Sequence, residues 1–184
     1  LPAPVFPPGV VVAAYRVGAD DDAWVRAFNA AFADHWGGFM GMSAARWGHV
    51  RAEPSFRPEL SLVAWDGEAI AGFCHCRIDA ELNLNALSGR RTGMIRYVGV
   101  VPAWRRRGLG AALTLAGLRT LRDAGMDEVA LGVDAENVTG ARDLYARFGF
   151  AVVGRQVLYR IEIAAAPRPI APAVAPAVAS GGTA

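Results

Sequence analysis

Hydrophobic and polar positions along this chain repeat with two different periods, which predicts a domain of mixed strands and helices. Runs rich in β-branched residues and bounded by turn residues predict strands, whereas apolar positions three or four residues apart predict amphipathic helices. The predicted strands before the last helix are residues 10–17, 60–65, 69–78, 94–100 and 128–133. A closing hairpin or bent strand is predicted at 152–154 and 157–163.

The helices predicted between these strands have recognisable end signals. Aspartates 20–22 supply an N-cap and charges suited to the dipole of the first helix, and Gly125 supplies a C-cap for the third. Between the second and third strands, Asp66-Gly67 predicts a two-residue hairpin turn. The predicted helices run over 20–32, from Ser43 past Val50, over 109–121 and over 138–148.

Length and composition fit one globular domain with irregular ends. The 184 residues are 53% hydrophobic and 20% charged, with a net charge of +2; this excludes a disordered chain and gives no general basis for binding nucleic acid. Residues 1–9 are proline-rich and linker-like, 10–163 form the predicted domain, and 164–184 are an Ala/Pro-rich low-complexity tail. We expect no signal peptide, no membrane span and no membrane partner, and either a monomer or a homodimer.

Cys74 and Cys76 are the only cysteines, and they alternate with His75 in a predicted strand. Residues at i and i+2 share one face of a strand but lie too far apart for an unstrained disulfide. We therefore expect two small core residues in a reducing compartment, which favours a cytoplasmic protein. Since further ligands at suitable spacing are absent from the sequence, no metal site is predicted.

The strongest chemical signal lies between residues 100 and 110. A β-branched strand ends there, a turn containing three consecutive arginines follows, and an apolar helix begins after Gly108. A helix N-terminus attracts anions through its free N–H groups and positive dipole end, and glycine allows a phosphate to approach closely. The spacing is neither that of a Walker loop nor that of a dinucleotide fingerprint. The alternatives are a solvated turn that binds no phosphate and, less favoured without interleaved aromatic residues, a nucleic-acid patch.

Two ordered motifs give the chain a resemblance to the GNAT superfamily of acetyltransferases. Arg105-x-x-Gly108-x-Gly110 is similar to the Q/R-x-x-G-x-G/A loop with which that family grips the pyrophosphate of acetyl-CoA. In segment 137–150 an Asn opens a helix that carries Leu-Tyr and closes on Gly-Phe, as in the second GNAT pattern. The resemblance covers about residues 10–163. It implies the GNAT fold, an α/β (α+β) domain with a mixed, mostly antiparallel sheet of about seven strands, helices on both faces and a splayed cofactor cleft.

The resemblance also implies which residues bind acetyl-CoA as the acyl-donor cosubstrate. The backbone of residues 98–100 would pair with the pantetheine arm, and the N–H of Val100 would bond the thioester carbonyl. Asn137 would contact the same arm, although it alternatively caps its own helix. The implied cofactor-binding set is Val98, Gly99, Val100, Arg105, Arg106, Arg107, Gly108, Leu109, Gly110, Ala111, Asn137, Ala141 and Tyr145.

Tyr145 is the candidate general acid, because many GNAT enzymes keep a tyrosine beside the sulfur. A thiol with a pKa of about 8.5 leaves readily and needs only a hydrogen bond or a late proton from a phenol with a pKa near 10. The competing interpretation is a core aromatic on one apolar face with Leu144 and Phe148. Both interpretations hold if the ring is buried and the hydroxyl is exposed.

The sequence defines the general base less well. Glu81 and Glu136 are the candidate bases, and each is alternatively a solvated loop carboxylate. An amine of lysine type must lose a proton before it attacks, whereas an α-amino group with a pKa of about 8 needs little help. Further, weaker candidates are Asp79, Asp134, His35 and His75.

Within the superfamily, segments 34–37 and 72–74 are similar to the carboxy-terminal domain of mycothiol synthases. That resemblance would place a glutamate near the start of the central strand, where this chain has Met94. The sequence therefore predicts an N-acetyltransferase in which a primary amine of a small molecule or peptide attacks acetyl-CoA directly, with the acceptor left open. The alternative is a non-catalytic acyl-CoA-binding or regulatory GNAT-like domain.

Overall fold

A computed structural model of the protein describes residues 1–34, 41–78, 89–133, 140–155 and 161. These residues form five strands and four α-helices, whose order follows the sequence prediction up to the fourth helix. The elements are β1 (Val11–Ala14), α1 (Asp21–Phe32), α2 (Ala44–Ala52), β2 (Leu62–Asp66), β3 (Ala69–Arg77), β4 (Thr92–Val100), α3 (Leu109–Asp123), β5 (Glu128–Leu131) and α4 (Ala141–Arg147).

The chain forms two units, Leu1–Phe150 and Ala151–Ala184. All nine described elements belong to the first unit. In the second unit the described residues 151–155 form neither helix nor strand, so the predicted strand at 152–154 is wrong. The Val153 side chain is 96% exposed. Of the predicted strand at 157–163 only residue 161 is described.

The five strands make one mixed sheet in the order β1-β2-β3-β4-β5. The first three pairs are antiparallel, and β4 pairs with β5 in parallel. Asp66 pairs with Ala69, and Gly67 adopts a positive φ of 57°, which confirms the predicted hairpin turn. The mixed, mostly antiparallel sheet is thereby confirmed with five described strands rather than about seven.

Because successive side chains on a strand point to opposite faces, the sheet separates two hydrophobic cores. Phe73 on β3 points into the first core, which α1 and α2 cover, and Cys74 points into the second core under α3. Large buried members of the first core are Trp24, Phe28, Trp47, Phe56 and Val63. Buried members of the second core include Cys76, Ile95, Leu109, Leu113 and Leu121. Helices therefore lie on both faces of the sheet, as predicted.

Helix ends follow the sequence signals with one difference. Ser43 caps α2, since its Oγ accepts a hydrogen bond from Arg46 N at 3.1 Å. Gly125 follows the end of α3 with a φ of 86°, the conformation expected of a C-terminal glycine. Asp20 precedes α1, but its carboxylate makes no cap bond to the helix. It instead accepts hydrogen bonds from the backbone N (2.8 Å) and Nη2 (2.8 Å) of Arg16.

The linker-like first residues are in contact with α3 in this structure. Phe6 packs against the second core, and Arg119 Nη1 donates hydrogen bonds to the carbonyls of Leu1 and Pro2 at 3.0 and 3.2 Å. Among the described helices, none has the length and apolar character needed to cross a membrane.

Candidate active site

Strands β4 and β5, the last pair in the described sheet, separate partway along β4. They pair from Thr92 opposite Glu128 to Ile95 opposite Leu131, and β5 ends there. β4 continues to Val100, and among the described strands its partner over this stretch is β3 alone. The register between β3 and β4 also shifts beside His75, which leaves a bulge on β4. Within the described ranges, the stretch of β4 from residue 96 to residue 100 thus has one open edge.

The direction of the backbone groups shows which of them face this edge. Val101 N donates a hydrogen bond to Ala71 O on β3 at 3.0 Å. Since the N–H and C=O groups of neighbouring residues in a strand point to opposite edges, those of Val100 and Val98 point away from β3. These are the backbone groups that an extended ligand could pair with, in the way that an added strand does.

The turn after β4 presents free N–H groups beside this edge. A short 3-10 turn at Pro102–Trp104 leads to Arg106 and Gly108, which both adopt left-handed conformations with φ of 62° and 82°. Ala112 N donates to Gly108 O at 3.0 Å, the first hydrogen bond of α3. The N–H groups of residues 109–111 precede that bond and therefore lack acceptors within the helix. The predicted anion-binding geometry of a helix N-terminus is present.

The three arginines of the turn differ in their surroundings. The guanidinium of Arg105 is bound to Asp34, with Nη1–Oδ2 and Nη2–Oδ1 distances of 2.7 and 3.0 Å. Arg107 lies over the Trp104 ring, with its Cζ 4.8 Å from the ring centroid. The exposed side chain of Arg106 has no hydrogen-bond or ion-pair partner within the part of the chain that the structure describes. Arg106 and Arg107 thus keep their charge available at the surface.

Tyr145 lies on α4 with its ring half-buried. Its ring centroid is 5.8 Å from that of Phe150 in an edge-to-face contact. Burial raises the pKa of the Tyr145 phenol, and the Cys74 thiol in the second core adds to this effect. The hydroxyl is therefore protonated at neutral pH. Ala141, the other implied cofactor contact on this helix, is its first residue and is half-buried.

Most of the candidate bases from the sequence lie outside the described residues, and His75 is the one that the structure describes. The positions outside the described residues are His35, Asp79, Glu81, Asp134, Glu136 and Asn137. His75 is buried in the first core, where its Nδ1 lies 2.7 Å from Ser61 Oγ. Burial, together with the charges of Arg96 and Arg77, lowers the pKa of His75 to about 3. The imidazole is thus a neutral core group that does not reach a solvent-exposed acceptor.

The two cysteines occupy the space predicted for them. Both are free and buried, and their Sγ atoms lie 3.7 Å apart under α3. Gly117 allows this approach, because a Cβ there would lie 2.5 Å from Cys74 Sγ. Across the described ranges, no group of three or more His, Cys, Asp or Glu side chains could hold a metal ion.

Two carboxylates, Asp34 and Glu53, form ion pairs that were not predicted from the sequence. One is the pair of Arg105 with Asp34, which lie 71 residues apart. In the other, Glu53 Oε2 accepts from Arg96 Nη1 at 2.8 Å and lies 3.5 Å from Arg77 Nη1. The segment that begins at Asp34 is part of the family resemblance, but sequence spacing alone does not indicate which arginine it meets.

The chain is similar to known proteins in sequence and, for several solved structures, in fold. A mycothiol acetyltransferase of Catenulispora acidiphila is 38% identical over 161 residues, covering 87% of this chain and 49% of that protein. The crystal structure of a GCN5-related N-acetyltransferase from Sphaerobacter thermophilus has 33% identity and a TM-score of 0.65, covering 80% of this chain and 43% of that one. The NatC complex, solved with a Gag peptide and CoA, has the same fold at 20% identity and a TM-score of 0.60, over 77% of this chain and 84% of that one. The chain thus spans about half the length of the curated relatives it matches.

The family described as "Acetyltransferase (GNAT) family" matches residues 23–150. That range includes the open edge of β4, the arginine-containing turn and Tyr145. The predicted GNAT fold, N-acetyl transfer and use of acetyl-CoA are thereby confirmed at the level of the family. This chain belongs to the acetyltransferase (GNAT) family.

Proposed function

We propose that this domain transfers the acetyl group of acetyl-CoA directly to a primary amine of a small molecule or peptide bound in the same complex. The observation that carries the proposal is the divergence of β4 from β5 immediately before a helix N-terminus. The open edge offers backbone partners to an amide-containing arm, and the helix N-terminus offers N–H groups to a diphosphate. Acetyl-CoA contains both parts in this order.

Each part of the cosubstrate has a partner in this arrangement. The pantetheine arm lies along Val98, Gly99 and Val100, and Val100 N–H polarises the thioester carbonyl. The further proposed contacts of the arm are Ala141 and Asn137, of which Asn137 lies outside the described residues. The backbone of the turn and of the first helical residues, 105–111, holds the pyrophosphate, and Arg106 and Arg107 contribute its charge partners.

The chemistry needs an acid for the sulfur and a neutral amine. The amine nitrogen attacks the thioester carbon, the C–S bond breaks, and the Tyr145 hydroxyl donates a hydrogen bond or proton to the departing sulfur. Because burial raises the pKa of Tyr145, the phenol remains protonated at the pH of the reaction and its assistance is mainly a hydrogen bond. Glu81 and Glu136 are the proposed bases for the amine, directly or through water.

The first acceptor to test is mycothiol that lacks its acetyl group. This choice is supported by two relatives that are named mycothiol acetyltransferases and are each 38% identical to this chain. Met94 stands at the position where the resemblance would place a glutamate, so other primary amines belong in the same test. Because the chain spans about half of those relatives, the acceptor of the whole protein is part of the proposal.

One observation favours the second candidate, a non-catalytic acyl-CoA-binding or regulatory domain. That observation is Met94, which stands where the resemblance to mycothiol synthases would place a glutamate. Thiol release from acetyl-CoA in the presence of amines distinguishes the two. The panel contains unacetylated mycothiol, polyamines, aminoglycosides and peptides, and mass spectrometry identifies the product. Acetyl-CoA binding without amine-dependent release would favour the non-catalytic domain.

Further proposals concern the extent and location of the domain. We propose a domain at 10–163 between a linker-like segment at 1–9 and a tail at 164–184, and removal of the tail should leave the melting temperature unchanged.

The two free thiols 3.7 Å apart support a reducing compartment, hence the cytoplasm. Cell fractionation that placed the protein outside the cytoplasm would refute this. A monomer and a homodimer both fit the fold, and sedimentation distinguishes them.

A further inference from the structure

The Arg105 side chain joins three parts of the fold. Its Nη1 and Nη2 donate to the two carboxylate oxygens of Asp34 at 2.7 and 3.0 Å, a bidentate pair. Nη2 also donates to Ala31 O at 3.0 Å, and Nε donates to Val100 O at 3.3 Å. One guanidinium therefore connects the end of α1, the segment after it and the end of β4.

The contact with α1 supplies something that this helix lacks. Two aspartates lie in the first turn of α1, but its last turn contains no basic residue. The last carbonyl groups of a helix accept no hydrogen bond from within the helix, and they lie at the negative end of its dipole. By bonding Ala31 O, Arg105 provides the cation for this end from a distant position in the sequence.

The contact with β4 lies at the open edge. The backbone groups of Val100 point away from β3, as the hydrogen bond from Val101 N to Ala71 O requires. Arg105 Nε therefore binds the carbonyl of the residue whose N–H is proposed to bond the thioester. The Val100 carbonyl and the Val100 N–H belong to successive peptide units that meet at the Val100 Cα. A side chain that α1 holds in place therefore restrains the residue that carries this N–H.

We propose that Arg105 and Asp34 are a positioning pair, which fixes Val100 against α1, and that the Arg105 side chain is not a phosphate ligand. The inference rests on the proposed function of Val100. To contact a phosphate, the guanidinium would have to leave four oxygen acceptors on three residues, whereas Arg106 and Arg107 are exposed beside it. Only the backbone of Arg105 then belongs to the phosphate turn.

The variants Asp34→Asn and Arg105→Lys distinguish a positioning role of Arg105 from a role in binding phosphate. Each variant keeps the approximate size of the side chain but removes the bidentate ion pair. We expect each to lower kcat by roughly ten- to a hundredfold, with the double variant no worse than the more affected single variant. Both single variants should change the Kd of CoA in the same direction. Opposite effects, with weaker binding in Arg105→Lys and unchanged or tighter binding in Asp34→Asn, would show a phosphate ligand and overturn the proposal.

The chain contains a matched control at the other end of β4. Arg91 and Asp127 form a similar bidentate pair, with distances of 3.0 and 3.1 Å. Arg91→Lys and Asp127→Asn should leave kcat and the Kd of CoA at the parent values. Unchanged kcat in Asp34→Asn would also overturn the proposal, and this variant decides alone if Arg105→Lys does not fold. Calorimetric titration with CoA requires no turnover, so the comparison of Kd values remains decisive even for a parent protein that acetylates no amine. The lack of acetylation would refute the proposed function and would leave the proposed positioning pair to be decided by the Kd values.

Discussion

Ile95 of β4 and Leu131 of β5 form the last residue pair between these two strands. Beyond them β4 continues to Val100, where β3 is its one partner among the described strands, and α3 begins at Leu109. An edge of unpaired backbone groups and a helix N-terminus are thereby placed next to one another. The proposed chemistry depends on this placement, and the predictions below test its separate parts.

Gly108 should be required for cofactor binding beyond its effect on stability. A Cβ at this position meets no atom within 4 Å, but the φ of 82° strains any other residue. Gly108→Ala should therefore cost about 1–2 kcal/mol of stability and, in addition, weaken CoA binding, because the Cβ would face the pyrophosphate. Gly18 is the matched control, with a φ of 81° and equally open space. Calorimetry should show weakened binding for Gly108→Ala and parent affinity for Gly18→Ala; equal affinity in both would refute the phosphate site.

Tyr145→Phe should reduce kcat and leave binding and stability almost unchanged. The ring contact with Phe150 is retained, while the hydroxyl proposed to meet the sulfur is lost. General-acid assistance is worth about 100- to 10,000-fold, and we expect the lower end because a thiolate leaves readily. Steady-state rates and melting curves of both proteins provide the measurement. A variant as fast as the parent would leave Tyr145 with a core role only, and early melting would show a structural hydroxyl.

The pH dependence of kcat supplies a second test of this residue. Burial raises the pKa of the Tyr145 phenol above its ordinary value of 10.0, so the acid remains protonated as the pH rises from 7 to 9. The parent should not lose kcat over this range through ionisation of the phenol. The assigned direction of the pKa shift would be contradicted if the parent lost kcat between pH 7 and 9 and Tyr145→Phe did not.

His75 should make the fold sensitive to acid. Its pKa is about 3 in the folded protein, against an ordinary value of 6.5. Below pH 6.5 the unfolded chain therefore binds a proton that the folded protein does not, and stability decreases until the pH reaches about 3. The slope should approach about 1.4 kcal/mol per pH unit. Urea unfolding between pH 4 and 7 should show a smaller slope for His75→Phe, whereas His49→Gln, at an exposed position on α2, should retain the contribution of His75.

Gly117 should be required for the close approach of α3 to β3. A Cβ there would lie 2.5 Å from Cys74 Sγ and 3.2 Å from Cys76 Sγ, and overpacking of this kind costs about 1–3 kcal/mol. Gly48 on α2 has no atom within 4 Å of its Cβ position, so Gly48→Ala should stabilise the helix by about 0.5–1 kcal/mol. Urea unfolding should show a lower free energy of unfolding for Gly117→Ala and a higher one for Gly48→Ala. Adding Cys74→Ala to Gly117→Ala should restore part of the lost stability. A neutral Gly117→Ala would refute the described packing.

Features that depend on neighbouring residues were predictable from the sequence. The end of β4, the turn and the start of α3 lie within a few residues, so their order alone predicts an anion site. Asp66-Gly67 and Ser43 likewise act on the backbone beside them. The cysteines, spaced by two residues on one strand, had to share a face.

Features that depend on distant residues were not predictable. Arg105 was assigned to phosphate from its place in the motif, but in the fold its guanidinium meets Asp34, 71 residues earlier. His75 was a weak candidate base until burial made it a neutral core group. The strand at 152–154 was predicted from apolar composition, but a strand also needs a partner, which local composition does not indicate.

The central claim is that acetyl-CoA lies along the open edge of β4 with its pyrophosphate at the start of α3. Titration of the folded protein with CoA, followed by the NMR signals of its backbone amides, tests this most directly. We expect the largest shifts at Val98, Val100 and residues 108–111, saturating together, while the amides of β1 at the far edge of the sheet remain unchanged. Saturable CoA binding that leaves Val98, Val100 and 108–111 unshifted, or no binding at all, would contradict the account.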